Sequence, residues 1–135
     1  MSLAQQTVLA RQGSIRKFVE ATAVEVDTSP DVVATVVLGG LYQQAVIEVE
    51  NVGATTLNAF SCELQAYPGG TWSTYISTWT AGTDTNNKLW SSATLNTLAT
   101  GIGLAAIKVW GAHAMRFKAG VAASTTTVTI KGICT

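Results

Sequence analysis

The sequence predicts an all-β fold: a single antiparallel β-sandwich of about seven to nine short strands. Three observations predict it. Apolar and polar residues alternate with period two in several stretches, as on a half-buried strand. Gly, Asn and Pro turn signals separate those stretches at roughly 8 to 12 residues. Finally, no helical pattern of about 10 to 15 residues alternates with the strands, which disfavours an α/β architecture. With 135 residues and no linker or charge block, the chain has room for one core. We assign residues 1–17 to an N-terminal arm and 18–135 to the sandwich domain.

Met1 to Lys17 shows no sustained period, but Val8, Leu9 and Ile15 offer apolar grip and Arg11, Arg16 and Lys17 offer charge. These six residues make the segment a candidate docking arm that orders against a neighbouring protein. Phe18 to Asp27 ends in clean alternation, Val24 and Val26 against Glu25 and Asp27, and Ser29-Pro30-Asp31 turns the chain. Val32 to Leu38 is rich in β-branched residues and stops at Gly39-Gly40, which reads as a strand buried on both faces or lying at an interface.

Tyr42 to Tyr67 is the central stretch. Ala45, Ile47 and Val49 share one parity, then Phe60, Cys62, Leu64 and Ala66 share another. The intervening Asn51-Val52-Gly53-Ala54 reads as a hairpin turn, because Asn and Gly tolerate positive φ. Pro68-Gly69-Gly70 closes the second strand in the same way. Trp72 to Thr80 follows with aromatic residues on both faces, and Ala81 to Lys88 reads as an exposed polar loop. Leu89 to Ala99 stays open between a helical turn and a strand. Three strands close the chain: Leu104 to Trp110, with Ile107 and Val109 on one face; His113 to Ala119, with Met115 and Phe117 on one face; and Thr125 to Ile133, with Val128 and Ile130 inward.

Eight basic and eight acidic side chains cancel, so the basic footprint of a nucleic-acid binder is missing. No stretch approaches the roughly 20 apolar residues that span a bilayer, and Met1 to Ala10 does not have the order of a secretory signal, which suggests synthesis in a cytoplasm without export. Charged residues make up 12% of the chain, about half the usual share, which points to a surface largely covered by partners. The parity of Cys62 favours a buried free thiol over a bridge to Cys134.

From Val46 onward the order of features resembles immunoglobulin-like sandwich modules. The strand ending at Asn51 and Gly53, Leu57, the Phe60/Cys62/Leu64 strand, the Trp72 strand, Leu95-x-x-Leu98-x-x-Gly101, GAHAMRFKAG and the last strand TTTVTIKGI carry it. The resemblance covers about two thirds of the chain and implies an immunoglobulin-like fold; within the expected sandwich class a jelly-roll-like order is the alternative. In its arm, its Ala/Thr/Gly-rich composition and its low charge, the chain is also similar to small bacteriophage virion proteins of the capsid decoration (cement), head-fibre and tail accessory types. That similarity implies a virion location, a trimer or other symmetric oligomer, and a major capsid or tail protein as partner. It brings no catalytic residues.

The residues themselves supply no enzyme signature and imply no cofactor. His113 is the only histidine, and on the parity of Met115 and Phe117 it reads as a core or interface residue. No Cys/His/Asp spacing suits a metal. Glu48 and Glu50, about 7 Å apart along a strand, read as a solvated face. Tyr75 and Trp79 share a parity and raise the alternative of a carbohydrate-binding or adhesin platform, against a core or interface role for the same rings.

Overall fold

The computed structural model describes residues 16–79, 86–91 and 93–135. Among them run β1 (Lys17–Val26), β2 (Asp31–Val37), β3 (Gln44–Asn51), β4 (Leu57–Gln65), β5 (Trp72–Ile76), β6 (Asn87–Leu89), β7 (Gly101–Lys108), β8 (Ala114–Val121) and β9 (Thr126–Cys134). One sheet has the order β1-β9-β3-β7-β6 and the other β2-β8-β4-β5, with every neighbouring pair antiparallel.

The pairings nest. β4 pairs with β5, β3 with β7, β2 with β8 and β1 with β9. The chain is therefore folded in half at the β4–β5 turn, and the doubled ribbon is rolled up so that its layers alternate between sheets. This is the jelly-roll arrangement, with β6 added outside β7. An immunoglobulin-like sandwich keeps its first two strands in one sheet, whereas β1 and β2 here lie in different sheets, so the immunoglobulin-like order is not the one that forms.

The same topology corrects the expected hairpin at residues 51–54. Ala45, Ile47, Val49, Phe60 and Cys62 are all buried, as their alternation implies. Yet β3 and β4 belong to different sheets, so Asn51-Val52-Gly53-Ala54 carries the chain across the sandwich. Neither Asn51 nor Gly53 adopts positive φ. The hairpin lies one strand later, where Gly69 has φ 76° and the Gly70 N–H donates to the Tyr67 carbonyl at 2.9 Å.

What secures the crossing is a buried amide. Asn51 is the fourth inward residue of β3 and has no exposed surface. Its Nδ2 donates to the carbonyls of Thr55 (2.8 Å) and Leu98 (2.9 Å), and its Oδ1 accepts from Thr126 Oγ1 (2.7 Å). One side chain thus joins the crossing loop, the segment before β7 and the start of β9. Gly53 packs so closely on Thr126 that a Cβ would overlap its hydroxyl.

Among its described residues, the open stretch from Leu89 to Ala99 is neither strand nor α-helix beyond Leu89. It forms a short 3₁₀ turn, Leu95–Thr97, whose Leu95 together with Leu98 is buried. Leu95 lies where a Cβ on Gly103 would stand, so the glycine makes room for this plug at the end of the sandwich.

Three further expectations change. β2 is an edge strand with a bulge between Val32 and Ala34, which buries Val33 and Val36 but leaves Val32 and Val37 exposed, so it is not covered on both faces. β1, the other edge on that side, has a bulge between Ala21 and Val24, with Ala23 at φ 52°. The polar loop is shorter than expected: Asn87 and Leu89 are buried in β6, while residues 80–85 lie outside the described residues. His113 stands before β8, half-buried, and is held through its backbone by Leu38, Gly39 and Gln65.

The core centres on Phe60, stacked with Phe117 (centroids 5.8 Å apart) and meeting Trp79 edge-on at 5.6 Å and 61°. Such pairs contribute about 0.5–1.5 kcal/mol beyond burial. Replacing Asn51 by Ala strands the Thr55 carbonyl and the Thr126 hydroxyl, while the Leu98 carbonyl keeps only its bond from the Leu57 N–H. We expect a loss of about 2–3 kcal/mol in stability, read as a lower denaturation midpoint at unchanged m-value.

Candidate functional site

Because the strands alternate in direction, the loops β2–β3, β4–β5 and β7–β8 gather at one end of the sandwich with the start of β1 and the end of β9. That end carries Phe18 (77% exposed), Val37 (54%), Leu41 (65%), Tyr67 (64%) and Trp110 (60%). Val32, Val52 and Ile102 are the exposed large apolar residues at the opposite end. Arg16, the first described residue, stands at this end as well.

On the flank of this end, the outer face of the five-stranded sheet holds a cleft of about 430 Å³. Its floor is Ala106, which pairs with Lys88 of β6 on one side and Val46 of β3 on the other. Lys88 and Trp90 share the outward parity and stand beside β7, the Trp90 N–H donating to the Leu104 carbonyl at 2.8 Å. Lys108 and its register partner Gln44 form the other side. Tyr75 Oη donates to the Lys108 carbonyl (2.7 Å) and accepts from Trp110 Nε1 (2.9 Å). The Lys108 ammonium lies 5.3 Å from the Trp110 ring centroid, within cation–π range.

Of the candidate contact residues, Trp79 does not present its ring to a ligand. It is fully buried three residues beyond β5, and its Nε1 donates to the Phe60 carbonyl at 2.7 Å. Tyr75 is half-buried and its hydroxyl is engaged with Lys108 and Trp110, so the two rings form no shared platform. The core role weighed for Trp79 is the one it takes. Of the arm candidates, Val8, Leu9, Arg11 and Ile15 lie outside the described residues. Arg16 is exposed, whereas Lys17 opens β1 and donates through Nζ to the Val37 carbonyl (2.6 Å), tying the two edge strands together.

The exposed tryptophans escaped sequence reasoning for different reasons. Trp90 sits in the stretch that stayed open between helix and strand. Trp110 reads as the last residue of a strand, but it takes φ 54° in the turn before Gly111, which swings it off the sheet. A bulky residue before glycine at a strand end was the available signal.

Two other basic residues stand beside acidic ones. Arg116 meets Glu63 at 2.6 Å and lies over the Trp72 ring at 4.4 Å, and Lys131 stands in register between Glu20 and Glu48. Among the described residues no three His, Cys, Asp or Glu side chains converge as a metal site would require.

Both cysteines are free and buried. Burial pushes the Cys62 thiol far above its ordinary range, and the Glu63 carboxylate adds to the shift. Burial also raises Cys134, with Lys17 opposing. Only the thiolate reacts. At pH 8 both thiols should therefore resist a disulfide exchange reagent in the native protein and titrate at once in denaturant, which absorbance at 412 nm would follow.

No protein-family model matches the chain, and no curated protein matches it. Among solved structures it is similar to the crystal structure of the SPBc2 prophage-derived protein YomS, with a TM-score of 0.55 and 12% sequence identity over 88% of this chain and 93% of that one. At that identity the shared property is the fold.

Proposed function

We propose that this protein is a non-enzymatic structural component of a bacteriophage particle, and within that class a capsid decoration (cement) protein that stabilises the shell through subunit packing. The observation that carries the reading is the apolar end formed by Phe18, Val37, Leu41, Tyr67 and Trp110, the end at which the first described residue, Arg16, stands. The low charge of the chain supports it, since a surface with few charges suits a subunit covered by neighbours. The jelly roll, shared with a prophage-derived protein, is compatible with it, because that fold recurs in viral shells.

In this reading the domain associates as a trimer or other closed oligomer, the arm lies on a major capsid or tail protein, and the protein is made in the host cytoplasm before it joins the virion. The bulges in β1 and β2 discourage strand-to-strand pairing at that edge, so attachment uses side chains.

Two results are expected. Light scattering on a size-exclusion column gives the mass of a closed oligomer, and Leu41→Ser with Phe18→Ser shifts it toward the monomer while the far-UV spectrum stays unchanged. Removal of residues 1–15, stopping short of Lys17 because it pairs with Cys134, weakens attachment to shells without lowering the melting temperature. A monomer that fails to bind capsid or tail protein would remove the reading.

A further inference from the structure

We propose that the cleft between Trp90 and Lys108 is a binding site for an acidic saccharide, a sugar ring that carries a carboxylate or a phosphate. This goes beyond a packing role, since the ligand is a small molecule or polymer end rather than a shell protein.

Shape comes first. The cleft of about 430 Å³ falls within the usual size of small-ligand sites and suits one or two sugar rings. Ala106 sets its floor, so the two strands around it bear larger side chains and the centre does not. A flat ring can lie there against the backbone ridge of β6 and β7. Trp90, 54% exposed and lining the cleft, supplies an aromatic face for the apolar side of a pyranose.

Charge then selects among sugars. Lys88 and Lys108 both line the cleft, and no acidic side chain is among the described residues around it. Lys88 pairs with Ala106, and Lys108 lies two residues further along β7, so the two ammonium groups rise from diagonal positions about 7–8 Å apart. One acid group reaches both, because each lysine has a long flexible stem. The chain carries no net charge, yet among the described residues this spot gathers two cations and no carboxylate. By contrast, Arg116 is ion-paired with Glu63, and Lys131 stands in register between Glu20 and Glu48.

Rigidity supports the site as well. The chain of hydrogen bonds from Trp110 Nε1 to Tyr75 Oη to the Lys108 carbonyl fixes the backbone under Lys108, and the Trp110 ring holds its ammonium at 5.3 Å. Gln44, in register with Lys108, presents a side-chain amide suited to sugar hydroxyls.

The test uses the full-length protein and calorimetric titration, with tryptophan fluorescence as a second readout. Trigalacturonate represents the carboxylate source and glucose 1-phosphate the phosphate source; a neutral maltotriose and inorganic phosphate serve as controls. Binding of either acidic sugar, weakening as salt is raised, is expected. Trp90→Ala should reduce affinity about fivefold. Lys88→Gln with Lys108→Gln should remove the salt dependence along with most of the affinity. Each of these side chains is exposed, so a fold intact by circular dichroism is expected in every variant. Equal affinity for maltotriose would overturn the charge selection, and inorganic phosphate binding as tightly would reduce the site to an anion site. No binding of either acidic sugar would overturn the proposal outright, without touching the shell-packing reading, whose test is oligomer mass and attachment.

Discussion

The structure depends on the side-chain amide of Asn51. The chain must leave the larger sheet and enter the smaller one after β3, and every backbone group it buries in doing so needs a partner. Asn51 meets that need from the core side, satisfying two carbonyls and receiving a hydroxyl from Thr126. It thereby sets the positions of three segments that lie far apart in sequence. A fully buried polar group tolerates little displacement, because a lost hydrogen bond there costs its full desolvation.

From that crossing follows the nested roll. Once β3 and β4 lie in opposite sheets, the turn at Tyr67–Gly70 becomes the point where the two halves of the chain meet, and pairing runs outward from it until β1 reaches β9. The last pairing joins the two ends of the domain. Such long-range closure is slow to form and, once formed, leaves no loose terminal strand at the C-terminus. Phe60 belongs to the inner layer of this roll, and by stacking on Phe117 and meeting Trp79 it fills the space where the layers face one another.

The same packing divides the aromatic residues by role. Trp79 is consumed by the core, and Trp72 is covered by the Arg116 guanidinium. Trp90 and Trp110 remain outside, on either side of Lys108, because one follows the short edge strand β6 and the other occupies a positive-φ turn. One end of the sandwich therefore brings together five exposed apolar residues and, on its flank, two lysines.

By itself the sequence determined the class of the fold and most of its inward residues. Alternation is a local property, so Ile47, Val49, Phe60, Cys62, Met115, Phe117, Val128 and Ile130 announce the core whichever strands they end up beside. Tertiary structure alone decided the pairing, because Asn51-Val52-Gly53 can serve a hairpin or a crossing equally well and only a distant Leu98 and Thr126 make it a crossing. It also decided the candidate site. Lys88 and Lys108 are separated by a turn and a plug of buried leucines, and the local alternation around Trp79 and Trp90 does not tell which ring is buried. Which ring is buried depends on how far each stands from Phe60 after the ribbon has rolled, a property of long-range packing that no local window contains.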